Sequence, residues 1–173
     1  MNSVTSSGVI RDAQPNDLKR IVEIYNLAIP GGRAVGHTEP VSVASKQQWF
    51  DSHDVARRPL WVLEREGVVI AWASLQSWSS TAAFDRTAEV SVYVAPEHQA
   101  QGLGRLMLRS LLAHCPSLGV DVVLGFTFGH NESTIRLNRS LGFELWGHLH
   151  GIAMLEEVAR DILIFGFRVG GAK

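Results

Sequence analysis

The apolar positions of the chain follow a helical period in some segments and a strand period in others. Apolar side chains recur three and four residues apart after Pro15, which predicts a first helix that ends at Pro30 and the two glycines after it. A short second helix is expected over residues 45–52. The same spacing predicts a long helix over residues 102–114 and a further helix over residues 131–141.

Short apolar or alternating runs between these helices predict strands. They cover residues 9–11, 60–63, 68–75, 89–94, 122–127, 144–149 and 162–168. The predicted order is therefore β-α-α-β-β-β-α-β-α-β-β. This order indicates an α/β fold, with helices packed against a mixed sheet.

Composition limits the classes of protein to which the chain can belong. Its 173 residues fit one domain over 1–173, with a polar, flexible segment over residues 1–8. Hydrophobic residues make up 46%, and the net charge is -1, which gives no overall field for a nucleic acid or a membrane. The single cysteine, Cys115, lies in an apolar run and is expected to be a buried thiol. We expect a cytoplasmic protein, because the chain has no signal peptide or membrane span.

One strand runs through a glycine-containing turn into the long helix. Gln99, Gly102, Gly104 and Arg105 mark this turn. The first N–H groups of a helix bind phosphates, and glycines allow a phosphate to approach the backbone closely. The turn has neither the Gly-Lys-Ser/Thr ending of a nucleotide P-loop nor the third glycine of a dinucleotide fingerprint, where Met107 stands.

The motif Gln99-x-x-Gly102-x-Gly104 after Val92-Tyr93-Val94 resembles the acyl-CoA pyrophosphate loop of the GNAT N-acetyltransferases. A second segment, from Asn131 to Leu141-Gly142-Phe143, is similar to the Asn…Leu-Gly-Phe segment of that family. The resemblance runs from about Ile10 to the C-terminus. It extends to the phosphinothricin and methionine-sulfoximine acetyltransferase branch through Thr38-Glu39-Pro40, residues 87–94 and the strand at Leu60-Trp61-Val62.

The resemblance implies a mostly antiparallel, twisted sheet with helices on both faces, and acetyl-CoA as the cosubstrate with no metal. It implies direct transfer of the acetyl group to the amine of a small, amino-acid-like molecule in a ternary complex. The implied cofactor-binding residues are Val92, Tyr93, Val94, Gln99, Ala100, Gln101, Gly102, Leu103, Gly104, Arg105, Asn131 and Ser133. Asn131 either contacts the pantetheine arm or caps its helix.

Glu89 is the candidate general base, since it matches a glutamate that this branch places at the start of the central strand. Between apolar neighbours its pKa would rise towards a useful range, whereas a solvated glutamate at a strand end is the alternative. Many family members have a tyrosine general acid seven residues after Asn131. Asn138 stands there and cannot donate a proton as an acid, and Tyr93 is expected on the other face, so no acid is assigned.

The acceptor pocket is expected to contain Glu39, Trp78, Phe84 and Arg86. Arg86 could hold a substrate carboxylate with two hydrogen bonds, although surface roles are an alternative for Trp78 and Arg86. Two features of the sequence depart from the pattern of the branch. Its loop arginines do not align here, near Ser79 and Asp85, and residues 155–161 lack a Lys-Gly-x-Trp pattern.

Further predictions concern metals, partners and the class of function. His148 and His150 lie two apart on a strand, but two ligands without a nearby third predict a surface or interface pair and no metal site. The resemblance implies a homodimer through the C-terminal strands, and the apolar run 162–165 is compatible with it. A non-catalytic acyl-CoA-binding module and a protein N-terminal acetyltransferase are the alternatives to a small-molecule enzyme.

Overall fold

The computed structural model describes residues 2–5, 8–32 and 36–170 of the chain. Its strands are β1 (Asn2–Thr5), β2 (Gly8–Asp12), β3 (Leu60–Arg65), β4 (Val68–Ser77), β5 (Thr87–Val94), β6 (Val122–Phe128), β7 (Glu144–Leu155) and β8 (Val158–Arg168). Its α-helices are α1 (Leu18–Asn26), α2 (Val43–Asp51), α3 (Leu103–His114) and α4 (Glu132–Ser140). None of these helices is long and apolar enough to cross a membrane.

The strands form one sheet of eight in the order β1-β2-β3-β4-β5-β6-β8-β7. Every neighbouring pair is antiparallel except β5 and β6, which run parallel. From β2 onward the elements follow the predicted order. The predicted α/β fold with a mixed, mostly antiparallel sheet is therefore confirmed.

Helices cover both faces of the sheet. On one face, Leu103, Met107 and Leu111 of α3 pack into a core that also contains Phe165 of β8, and α4 packs against its edge. On the other face, Ile21 and Ile24 of α1 pack on β3 and β4. Burying these apolar stripes against the sheet stabilises the fold. Cys115 is buried in the first core, as expected, and burial raises its pKa to about 11.

The two parallel strands separate along their length. β5 pairs with β6 only at Thr87, Ala88 and Glu89. Beyond Glu89, β6 continues beside β8, while residues 90–94 of β5 stay paired with β4 alone. A gap therefore opens between two strands in the middle of the sheet, with Glu89 at its closed end.

Three features differ from the sequence-based predictions. The strand β1 was not predicted, and it pairs antiparallel with β2. The expected flexibility of residues 1–8 stays a prediction, because positions 1, 6 and 7 lie outside the described residues. The strands β7 and β8 extend beyond the predicted 144–149 and 162–168, and they join in a two-residue hairpin turn.

Candidate functional site

A cleft of about 420 Å³ lies where the gap between β5 and β6 meets the N-terminus of α3. The outer part of β5, the turn before α3 and the start of α4 line this cleft. Eleven of the twelve predicted cofactor-binding residues are part of its lining: Val92, Tyr93, Val94, Gln99, Ala100, Gly102, Leu103, Gly104, Arg105, Asn131 and Ser133. Gln101, the twelfth, is exposed and does not line the cleft.

The turn before α3 has the backbone of an anion-binding site. Gly102 caps the helix in the left-handed region, at φ 77°, where a residue without Cβ is favoured. The first N–H groups of the helix have no partner within it, so they are free to bind a phosphate. A Cβ on Gly104 would lie 3.6 Å from Leu137 Cδ2 and 3.8 Å from Val94 Cγ2, between two side chains of the cleft. Gly104 therefore leaves room in the cleft that any other residue would fill.

Two polar side chains of this region already have partners within the protein. The Gln99 amide donates to the carbonyl oxygen of Val94 at 3.1 Å. The Arg105 guanidinium reaches the end of α4, with 3.3 Å to the Ser140 hydroxyl. Arg105 is exposed at the mouth of the cleft and so adds positive charge beside the helix N-terminus.

Asn131 is the N-cap of α4. Its side-chain oxygen accepts hydrogen bonds from the Thr134 backbone N–H, at 3.2 Å, and from the Ser133 hydroxyl, at 2.8 Å. Of the two interpretations of Asn131, the capping role is therefore present in the structure. Because Asn131 is also part of the cleft lining, a contact with a bound cofactor remains a prediction.

A narrow crevice of about 80 Å³ connects the cleft with the interior of the gap. Residues 90–93 of β5 form one wall, and residues 125–127 of β6 form the other. Glu89 and Asn138 both line this crevice. The crevice shares Val92, Tyr93 and Thr134 with the cleft, so the two spaces are continuous.

Glu89 is half-buried at the closed end of the gap. It is paired in register with Gln76 of β4 and Leu124 of β6, and this pairing fixes its backbone. Burial raises the pKa of its carboxyl above the ordinary value for glutamate. A carboxylate in this environment is a stronger base than one in solvent, as expected of a general base.

A second cavity, of about 190 Å³, lies on the side of β5 that faces α1 and α2. Glu89, Ser91 and Tyr93 line both this cavity and the crevice, so the two meet along one edge of β5. Four aromatic rings form much of its wall, in contacts with centroid separations from 4.6 to 5.7 Å. These rings belong to Tyr25, Trp49, Trp72 and Tyr93.

Lys46 of α2 is the lysine that lines this cavity, and its Nζ lies 5.3 Å from the ring centroid of Tyr25 and 5.8 Å from that of Trp49. Burial lowers its pKa, and burial also lowers the pKa of His37, whose Nδ1 lies 2.6 Å from the Tyr25 hydroxyl. Burial raises the pKa of Tyr93. The cavity thus places a cation and a carboxylate, Lys46 and Glu89, around an aromatic space.

The four residues predicted for the acceptor pocket are not part of this lining. Glu39 is exposed in the loop after α1, and Phe84 is 45% exposed. Trp78 is 41% exposed and stacks on Phe126 of the crevice, with 5.3 Å between ring centroids. Arg86 forms a two-point ion pair with Asp121, which occupies the guanidinium edge that a substrate carboxylate would need.

The sequence analysis missed Lys46, Trp49 and Tyr25 as residues of the site. Lys46 and Trp49 lie three apart on α2, so they share one face of that helix. This spacing was the available signal, but it does not indicate which other element the face meets. Tyr25 lies among the apolar positions of the first predicted helix, a pattern that indicates burial and not a role in a site.

His148 and His150 have a third possible ligand nearby, contrary to expectation. His148 Nε2 lies 2.6 Å from Asp161 Oδ2, and His150 Nδ1 lies 3.5 Å from the same oxygen. Asp161 comes from β8, which sequence spacing could not place beside β7. The His148 hydrogen bond lowers the pKa of Asp161, as in an ordinary charge-assisted pair on the surface. The absence of a metal here stays a prediction.

Comparison with known proteins places these features in a family. The model of the acetyltransferase (GNAT) family matches residues 20–143. YwnH of Bacillus subtilis (strain 168), assigned to the phosphinothricin acetyltransferases, is 36% identical over 158 residues, which cover 91% of this chain and 96% of that one. The L-methionine sulfoximine/L-methionine sulfone acetyltransferase of Salmonella typhimurium is 37% identical over 134 residues, or 78% of each chain.

A solved structure agrees with these sequence matches. The phosphinothricin acetyltransferase of Sinorhizobium meliloti, determined in complex with acetyl-CoA, superimposes with a TM-score of 0.86 at 29% identity. The match covers 95% of this chain and 89% of that one.

Proposed function

Because this chain belongs to the GNAT acetyltransferase family, we propose that it transfers the acetyl group of acetyl-CoA to the amino group of a small, amino-acid-like molecule. The observation that supports this most strongly is the continuous path through the sheet. The cofactor cleft, the crevice and the aromatic cavity meet along β5, with Glu89 at the junction of the crevice and the aromatic cavity. Two substrates that entered from opposite sides would therefore meet beside a buried carboxylate.

Each part of the site has a proposed role in the reaction. The N-terminus of α3 and Arg105 bind the pyrophosphate of the cofactor. The edge of residues 90–93 that faces the gap pairs with the pantetheine arm, since β6 does not pair with it. Glu89 accepts a proton from the acceptor amine, directly or through water, because only a neutral amine attacks a thioester. The tetrahedral oxyanion is stabilised by backbone N–H donors of β5.

The acceptor is proposed to bind in the aromatic cavity. Relatives of this chain are named for methionine sulfoximine, methionine sulfone and phosphinothricin. Each of these acceptors carries an amino group and a carboxylate. Lys46 is proposed to bind the carboxylate. Arg86, which was expected in this role, already forms an ion pair with Asp121. The aromatic walls would contact the aliphatic part of the side chain.

The experiment that tests this function is acetyl-CoA turnover with a panel of amines. The panel contains methionine sulfoximine, phosphinothricin, the common amino acids, polyamines and peptides with free N-termini. Turnover confined to amino-acid-like acceptors is expected. Turnover only with peptides would favour a protein N-terminal acetyltransferase. Binding of CoA without turnover of any amine would favour a non-catalytic acyl-CoA-binding module.

Lys46→Met is expected to weaken binding of acceptors that carry a carboxylate. The lost charge-assisted hydrogen bond corresponds to a rise in KM of about tenfold to a hundredfold. L-methionine and 3-(methylthio)propylamine, which lacks the carboxylate, are compared in steady-state assays. Gln48→Met, on the exposed face of the same helix, is the matched control. An equal rise in KM for both amines would contradict a role for Lys46 in carboxylate binding.

A homodimer through the C-terminal strands is also proposed. β7 is the edge strand of the sheet, and an edge strand offers unpaired backbone groups to another chain. Six large apolar side chains are exposed on β7 and β8, and a group of exposed apolar side chains at one edge of a sheet is typical of an interaction surface. These are Leu145, Trp146, Leu149, Ile152, Met154 and Val158.

Sedimentation velocity is expected to give the mass of a dimer for the wild-type chain. Ile152→Lys, at a side chain that is 63% exposed, should shift the protein towards monomer because it places a charge in the apolar patch. Val68→Lys, on an exposed valine of β4, is the control and should leave the mass unchanged. A monomeric wild type at micromolar concentration would contradict the proposed dimer. A cytoplasmic location and the absence of nucleic-acid and membrane partners stay predictions.

A further inference from the structure

Asn138 of α4 is a buried polar residue at the centre of the path between the two substrates. Its exposed fraction is 4%, and it lines the crevice that also contains Glu89. Its Nδ2 lies 3.8 Å from the position that a Cβ on Gly125 would occupy. Val90 Cγ1 lies at the same distance from that position. Because Gly125 belongs to β6 and Val90 to β5, the amide lies at the gap where these two strands have separated.

The side-chain amide of Asn138 has no hydrogen-bond partner among the described residues. Its backbone carbonyl is occupied, because it accepts hydrogen bonds from the N–H groups of Leu141 and Phe143. Among the described residues, Asn138 is not one of those with a fully enclosed, unpartnered side-chain polar atom, so its amide is open to the crevice, where a ligand or water can complete its hydrogen bonds. The crevice that the amide lines is the space between the cofactor cleft and Glu89.

Resting on the function proposed above, we propose that the Asn138 amide donates a hydrogen bond to the sulfur of the acetyl-CoA thioester while the C–S bond breaks. The amine nitrogen forms a bond to the acetyl carbon, and the C–S bonding electrons leave with sulfur as a thiolate. Glu89 already holds the proton that made the amine neutral, the second proton goes to solvent as the amide forms, and the thiolate takes a proton from solvent after release. Asn138 transfers no proton, because an amide is not an acid at physiological pH.

The position of the amide supports this assignment. Leu108, Leu137 and Val90 of the crevice wall are apolar, whereas Ser91, Thr127 and Thr134 carry hydroxyl groups, and Asn138 provides the side-chain amide of this lining. A donor aimed at developing negative charge acts most strongly where water is excluded. A hydrogen bond to the leaving thiolate strengthens as negative charge develops on sulfur. Removing the Asn138 donor should therefore lower kcat, with little effect on KM.

The test compares Asn138→Leu, which removes the donor at similar volume, with Asn138→His, which replaces it. Asn138→Leu should lower kcat by about tenfold or more with little change in acceptor KM, and Asn138→His should restore part of the loss. Asn138→Leu should melt at the same or a higher temperature, because it breaks no side-chain hydrogen bond among the described residues and places an apolar side chain at a position that is 4% exposed. Arg139→Gln, on the exposed side of the same helix, is the control.

A binding measurement gives a second readout that does not need turnover. Calorimetric titration compares CoA with desulfo-CoA, which lacks only the sulfur. The wild type should bind CoA more tightly than desulfo-CoA, and Asn138→Leu should lose that preference. Equal loss of affinity for both ligands, an unchanged kcat or a large fall in melting temperature would overturn the proposal. If the wild type binds neither ligand, the proposed acetyltransferase function itself fails, and the inference fails with it.

Discussion

Replacing Glu89 by glutamine is expected to lower kcat/KM for the amine acceptor by about 10²- to 10⁴-fold, the range that a general base contributes. Glutamine keeps the shape of the side chain at the junction of crevice and cavity but cannot accept a proton. Steady-state thiol release with saturating acetyl-CoA measures the effect. Affinity for CoA should change little, since Glu89 does not line the cofactor cleft.

The pH dependence follows from the raised pKa of Glu89. The base works only when deprotonated, so activity should fall as pH decreases through a pKa above the ordinary 4.5 of glutamate. Stability changes with pH in the opposite direction. The folded state binds this proton more tightly than the unfolded state, so the free energy of unfolding decreases as pH rises from the ordinary pKa of 4.5 to the raised pKa of Glu89. Glu89→Gln should therefore melt at a higher temperature than the wild type at neutral pH.

Glu132→Gln is the matched control for Glu89→Gln. Glu132 is an exposed glutamate on α4 that pairs with Arg136, and its loss should leave both activity and melting temperature nearly unchanged. If Glu89→Gln retains full activity across the pH range, Glu89 is not the base. His37 would then be the next residue to test, because burial lowers its pKa and it lines the same cavity.

Gly104→Ala is expected to weaken acetyl-CoA binding while it leaves the fold intact or slightly more stable. The new Cβ would meet Val94 and Leu137 at ordinary contact distances, so the protein without ligand accommodates it. Alanine within a helix stabilises it by up to about 0.5–1 kcal/mol relative to glycine. The methyl group would occupy the space beside the helix N-terminus that a phosphate needs. We expect binding weaker by about tenfold or more, or ~1.4 kcal/mol.

Isothermal titration with acetyl-CoA and thermal melting measure the two effects of Gly104→Ala separately. Arg109→Ala, an exposed position further along α3, serves as the control and should change neither property much. Unchanged affinity in Gly104→Ala would place the pyrophosphate away from the start of α3. A large fall in melting temperature would instead indicate that the glycine is needed for packing.

Most of the fold followed from the sequence because local pattern and tertiary burial agree in the central elements. The apolar stripe of α3 and the strand into its N-terminal turn are both local signals, and the structure buries the residues that they mark. The same agreement holds for α1. The turn of the cofactor cleft could be predicted from the sequence, because residues Gln99 to Arg105 are contiguous.

The β7–β8 hairpin shows where local pattern was insufficient. Its turn consists of Glu156 and Glu157, both with positive φ, at 50° and 60°. Two-residue hairpin turns of this kind favour asparagine and glycine, so two glutamates gave no turn signal. The exposed apolar residues of β7 also obscured the strand alternation on which a boundary prediction depends.

The acceptor cavity was predicted less well, because it is assembled from elements far apart in sequence. Lys46 of α2, Tyr25 of α1 and Trp72 of β4 meet only after the helices pack on the sheet. Arg86 was expected to bind a carboxylate on the basis of its charge alone. Its pairing with Asp121 depends on the position of β6 beside β5, which single-residue reasoning could not supply.

The most direct test of acetyl transfer across the sheet measures both products of the reaction in one assay. Wild-type protein is incubated with acetyl-CoA and methionine sulfoximine, free CoA thiol is titrated, and the N-acetylated amine is quantified by mass spectrometry. Equal amounts of thiol and N-acetyl product, both lost in Glu89→Gln, are predicted. Thiol release without an acetylated amine, or no release with any acceptor of the panel, would contradict the proposed transfer to an amine.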